Sequence, residues 1–389
     1  MRFSLNLLSL LLICYSLQAQ DSLFLRLAKE NMKSMKFENG RFSGPGWEAL
    51  QREAQESDHV LIGEDHFTVE IPKFIEAIGL DSKYDNFYIE IDPYSTEIIH
   101  RTFTWEDDKR SEFYKKYGRI YSFYALREEY ALLEKMVKAG MNLLGSDQIV
   151  MFDDRLIFQD LILKTKNQEA KKIYESVCEK SKAHLDEFLT NPQNPMYFMT
   201  PSFGEDLSKL QDLDLSPIED EIIDKMRLSV EIYRKQSHRI RVQLIKHHLM
   251  QDFDKWKGKR NLFKYGANHM ARGESFLTVT DIGNLVANIA EANYEKSFHI
   301  MILGESGMQA TAFETFPASP IDPNGFYLKH LQPFFQITEG NDWAVFDLEP
   351  LRKELERGKL TIENQNLIRS IKGFDVLILI PKVTAAGFD

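Results

Sequence analysis

Short, almost continuously apolar runs recur along this chain, spaced so that a helix fits between them. That pattern constrains the fold more than any other feature. Seven runs rich in β-branched and aromatic residues read as strands: 59–62, 87–91, 141–144, 261–265, 298–303, 343–348 and 374–380. Runs apolar on both faces suit strands that are covered on both sides. Helical periodicity lies between the early runs, over 70–78, 94–102 and 112–139, and returns over 281–292. Strand, helix, strand at this spacing predicts an α/β fold with a mainly parallel central sheet flanked by helices.

The middle of the chain breaks the rhythm. From about 153 to 254 strand signals fade, charge rises, and apolar residues such as Ile222, Met226, Val230 and Tyr233 recur at helical spacing. Pro192, Pro195 and Pro201 divide this block, and Pro217 marks a further helix start. It reads as a helical insertion in one α/β domain spanning 21–389, forming a lid or wall over a cleft or only covering apolar sheet surface. The stretch 306–324, rich in Gly, Pro, Ser and Thr, reads as a long loop.

The first twenty residues differ from the rest. Arg2 precedes an apolar stretch to Leu17, and Ala19 offers a small residue before a cut, so 1–20 has the pattern of a secretory signal peptide. The expectation is an exported protein, periplasmic or secreted. Ile13 before Cys14 is too large for a lipidation site, and no run is long enough for an integral membrane segment. Removal of the leader leaves Cys178 alone in a charged helical stretch, where a buried, inert thiol is expected. A formal net charge of -11 argues against nucleic-acid binding, which needs clustered Lys and Arg. The sequence carries no signal for oligomeric state.

Two strand runs end in one grammar. Gly63-Glu64-Asp65-His66 follows Val60-Leu61-Ile62, and Gly266-Ala267-Asn268-His269 follows Leu262-Phe263-Lys264-Tyr265. A strand that ends in glycine and presents polar groups is how α/β enzymes place chemistry at a sheet's carboxyl edge. Glu64 can orient His66 and raise its basicity. Glu90 sits in an apolar run, where a buried carboxylate needs a partner. Asp147 follows another strand and glycine, and Arg155, Asn268 and Arg272 lie near these ends as substrate-binding candidates. Arg155 could hold an oxyanion or pair with Asp153 or Asp154. The bland alternatives are capping and turn roles. HExxH, paired CxxC, GxSxG, P-loop and GxGxxG motifs are all missing.

With two Gly-x-x-His motifs and Glu90 on the strand after the first, the chain resembles the erythromycin esterase-like family, part of a wider group with TIKI/TraB and ChaN-like proteins. The helix 239–250 and the closing run 374–380 share in the resemblance, which spans about 58 to the C-terminus. It implies an ester or lactone hydrolase in which His66 activates water, Glu64 or Glu90 orients it, and His269 stabilises the oxyanion or protonates the leaving group. No cofactor is required in that reading. The TIKI-like branch implies instead a divalent metal on His66, Glu90 and His269. The ChaN-like branch implies haem binding through a tyrosine, for which Tyr121, Tyr124 and Tyr130 are available.

Overall fold

The structure is a computed structural model that describes residues 22–388. The expected signal peptide lies outside the described residues. The sheet strands are, in chain order, β1 (Met32–Glu38), β2 (Arg41–Ser43), β3 (His59–Glu64), β4 (Asn86–Ile89), β5 (Asn142–Gly145), β6 (Asn261–Gly266), β7 (Ser297–Gly304), β8 (Trp343–Asp347) and β9 (Val376–Ile380). The chain divides into two compact units: 1–82, 265–309 and 320–384 in the first, and 83–264, 310–319 and 385–389 in the second. The architecture is α/β, with mostly parallel strands flanked by helices.

In the first unit β3, β7 and β9 run parallel, with His59 opposite Ser297 and Val376 opposite Ile300. β8 pairs antiparallel with β9, and β1 antiparallel with β8. Every residue of β3 and β9 is buried, as double coverage requires. β1 and β2 form a hairpin that the apolar runs do not announce. Its turn is Asn39-Gly40, with φ of 52° and 75°, the left-handed pair that a two-residue hairpin needs.

In the second unit β4 pairs in parallel with β5 and with the first residues of β6. Each of these strands opens on an asparagine. Asn86 donates to Asn261 at 2.7 Å, and Asn142 donates to Asn86 at 3.1 Å. A one-residue slip would break this row, so it fixes the register. Between Asp154 and Trp256 the chain is helical. These helices enclose a core of their own around Phe158, Tyr174, Phe198, Phe203 and Met226. The helix expected over 112–139 is interrupted. Asp107–Tyr117 and Arg127–Lys138 are separated by the 3-10 turns Gly118–Ile120 and Ser122–Ala125. Cys178 is half-buried, and burial pushes its thiol up to about 12, which leaves it inert. Among the described residues no helix is long and apolar enough to cross a membrane.

β6 carries a charge in its apolar run. Lys264 is fully buried, with its Nζ 3.1 Å from Glu129 and beside the rings of Phe123 and Tyr124. Removing one partner of such a pair strands the other charge. Glu129→Leu is therefore expected to lower the unfolding free energy by about 3 kcal/mol, and Glu129→Leu with Lys264→Met to recover most of it. Urea unfolding of the single and double variants checks this; a double variant weaker than the single would contradict it.

Candidate active site

β3 continues through Gly63 to Glu64, so the glycine lies inside the strand and is not the tight turn expected of it. Its role is close approach. A Cβ on Gly63 would sit 2.8 Å from Ala267 Cα, 3.1 Å from Met270 Cβ and 3.1 Å from the Phe374 ring. The turn comes later, at Phe67, whose φ of 71° is left-handed for a bulky residue. Such a conformation costs on the order of 1–3 kcal/mol and persists only where its surroundings impose it. Here Val69 N–H donates to Thr384 O at 2.9 Å, and Gln309 Nε2 donates to His66 O at 2.8 Å and to Asp65 Oδ1 at 3.1 Å. Burial pushes the Asp65 carboxyl up, opposed by the neighbouring His66.

His66 Nδ1 lies 2.7 Å from Glu64 Oε1, with Glu64 buried and His66 partly exposed. A carboxylate on Nδ1 holds the proton there and makes Nε2 the basic nitrogen. The second motif repeats this arrangement. β6 ends at Gly266, and the helical turn Ala267–Met270 follows with His269 buried on it. His269 Nδ1 lies 2.8 Å from Asp281 Oδ2. Asp281 also caps the helix Ile282–Ala292 by accepting from Ile282 N–H at 2.6 Å. Gly283 in that helix packs so closely that a Cβ would fall 2.4 Å from Met270 C and 2.5 Å from its oxygen. His299 on β7 donates from Nδ1 to Met270 O at 2.7 Å. The first unit thus carries two histidine–carboxylate pairs on neighbouring segments, the end of β3 and the turn packed against it.

Glu90 and Asp147 take another partner, in the second unit. Arg241, on the helix His238–Gln251, donates from Nε to Asp147 Oδ1 at 2.9 Å and from Nη2 to Glu90 Oε1 at 2.7 Å. Burial opposes the guanidinium's charge, but Asp147 and Glu90 more than offset it and hold it firmly protonated. Arg155 lies over the Tyr117 ring at 5.7 Å and makes no ion pair with Asp153 or Asp154. Arg272 forms a two-pronged ion pair with Asp375 and donates to Ser297 O at 2.7 Å, at the start of β7. Asn268 is half-buried beside His269. Asp281 and Arg241 were not among the residues singled out from sequence as site candidates. Asp281 stood at the start of an expected helix, where a capping role masked its bond to His269. Arg241 lay on a helix rich in basic residues with no neighbouring carboxylate to single it out.

No family model matches the chain, and no curated protein matches it either. Solved structures do. A succinoglycan biosynthesis protein is 14% identical, with a TM-score of 0.55 over 95% of this chain and 99% of that one. A protein from Bacillus cereus is 13% identical, with a TM-score of 0.54 over 95% of this chain and 99% of that one. The erythromycin esterase EreC, a histidine-to-asparagine mutant in its open conformation, is 11% identical, with a TM-score of 0.54 over 92% and 98%. This chain therefore has a distant erythromycin esterase-like fold.

His299 makes a pH prediction. Burial, helped by Arg272, drives its imidazole down to about 3, from an ordinary 6.5. The unfolded chain takes up the proton below 6.5 while the folded chain resists it, so this contribution to stability is full above 6.5 and lost as pH falls towards 3. His299→Gln keeps a donor for Met270 and removes the titration. Between pH 7 and pH 4 the wild type is expected to lose roughly 3 kcal/mol more than the variant in urea unfolding. Parallel pH profiles for the two proteins would refute this.

Proposed function

We propose that this protein is an exported hydrolase that cleaves a carboxylic ester or lactone with water activated by His66. The reading is supported chiefly by one observation: two histidines, each with a carboxylate on Nδ1, on adjoining segments at the carboxyl end of β3. His66 Nε2 takes a proton from water as the oxygen attacks the acyl carbon. The Glu64 carboxylate stabilises the imidazolium that forms. Collapse of the tetrahedral intermediate breaks the acyl C–O bond. His269, backed by Asp281, gives a proton to the departing alkoxide and takes one back from solvent as His66 releases the proton it took from water, so both imidazoles return to their starting states. A water nucleophile accords with the missing serine elbow. The solved erythromycin esterase gives the fold a precedent for ester substrates. Export rests on the leader-like pattern of 1–20.

No metal is required in this scheme. In the metal reading Glu90 would be a ligand, yet its Oε1 already accepts from Arg241, a cation it shares with Asp147. The test is a hydrolysis screen with activated esters and macrocyclic lactones. His66→Ala is expected to lower kcat by about 10²–10⁴-fold, with activity surviving exhaustive chelation. Equal rates for wild type and variant would overturn the proposal, and activity lost to chelator and restored by zinc would transfer the site to a metal mechanism.

Asp281→Asn gives a separate check. Asparagine caps a helix about as well as aspartate, so the fold is expected to hold. The imidazolium of His269 loses its counter-charge, and kcat is expected to fall about tenfold or more with KM little changed. An unaltered kcat would remove Asp281 from the mechanism.

A further inference from the structure

A cavity of about 510 Å³ opens in the first unit at the amino-terminal edge of its parallel strands. Ser297 and Phe298 at the start of β7, Val376 at the start of β9 and Asp347 at the end of β8 all line it. β7 is eight residues long, so its own two ends lie roughly 23 Å apart, while Arg272 on the cavity wall follows His269 by three residues. The volume falls in the usual range for small-molecule sites.

Its charges are unbalanced in a chain that is acidic as a whole. Lys33, Arg52, Arg272, Lys296 and Arg352 line the cavity, five cations against the four carboxylates Glu53, Asp347, Glu349 and Asp375. Each carboxylate is already engaged. Glu53 accepts from Lys296 at 2.8 Å, Glu349 pairs with Lys353 at 2.7 Å, and Asp347 accepts from Glu349 N–H at 2.9 Å. Asp375 serves two guanidiniums at once, those of Arg272 and Arg352. Asp347 adds its charge near Arg352 and Lys33, which leaves two carboxylates, Asp375 and Asp347, among Arg272, Arg352, Lys33 and Arg52, and both guanidiniums on Asp375 remain partly exposed. Lys33 and Arg52 make no ion pair within 4 Å among the described residues. Forked guanidiniums with spare N–H donors match an oxyanion in geometry as well as charge. Arg272, which the sequence suggested as a substrate contact beside His269, belongs to this cavity.

We infer that this cavity is a binding site for a small oxyanion, a carboxylate or a phosphate, held between Arg352, Arg272 and Arg52. The inference stands apart from the hydrolase reading, because none of these residues belongs to the histidine pairs.

Titration calorimetry of the full chain with succinate and with inorganic phosphate, at low chloride, tests it. Saturable binding of at least one probe is expected, with a dissociation constant of about 1 mM or tighter. Whichever probe binds identifies the oxyanion. Arg352→Gln and the surface change Arg52→Gln are each expected to weaken binding about tenfold or more while unfolding midpoints stay near wild type. His66→Ala is expected to leave binding intact. Saturation by neither probe at roughly 20 mM, unchanged affinity in both arginine variants, or binding lost in His66→Ala would each overturn the inference.

Discussion

The site depends on a backbone contact that tolerates no side chain. The turn Ala267–Met270 is wedged between Gly63 of β3 on one side and Gly283 of the following helix on the other. A methyl group on either glycine would have to push the turn away. Four helical residues have no stability of their own, since nucleating a turn costs more than it returns. The turn stands because β3, the helix Ile282–Ala292 and the His299 bond to Met270 O hold it from three directions. His269 rides on this turn, and Asp281 sits one residue from the helix that clamps it. Packing and imidazole orientation are therefore one constraint.

The acidic side chains near these strand ends serve two purposes, and the nearest cation decides which. Glu64 and Asp281 meet imidazoles, whose charge comes and goes with a proton. Glu90 and Asp147 meet a guanidinium, whose charge is permanent. A buried permanent cation needs its counter-charges at all times, and those two carboxylates supply them. A carboxylate behind an imidazole is instead best placed when the imidazole becomes charged, which is the condition of general-base catalysis.

The strands of the parallel core were legible because their apolar character is local. Each expected run falls within two residues or so of the observed element, for example 298–303 against Ser297–Gly304 and 374–380 against Val376–Ile380. The hairpin Met32–Ser43 gives no apolar run because its strands are mixed in polarity, although Asn39-Gly40 is a turn signal readable from sequence alone. The break in 112–139 was hidden because Tyr117, Ile120, Tyr121 and Tyr124 continue an apolar pattern through two 3-10 turns. Within the site, the Glu64–His66 bond could be anticipated, since the partners are two positions apart. The bonds from Asp281 to His269 and from Arg241 to Asp147 could not, because the partners are twelve and ninety-four positions apart and only the fold closes those gaps.

A histidine with a carboxylate neighbour is not by that fact a base. His59, at the opposite end of the same strand as Glu64, has Glu295 at 3.0 Å from Nε2. Its ring is wholly enclosed, and burial outweighs the carboxylate and keeps its pKa below the ordinary value. The carboxylate there touches the nitrogen that His66 keeps as its basic one. His248, His299 and His330 are also driven to low pKa by burial, which outweighs the backbone carbonyls that accept from their rings and favour the proton. What separates His66 from all of these is a conjunction: a carboxylate on Nδ1, partial access to solvent, and a place just past the carboxyl end of a parallel strand. Each condition alone is common in a folded chain. Their coincidence at a contact that two glycines hold closed is what gives the hydrolytic reading its physical basis.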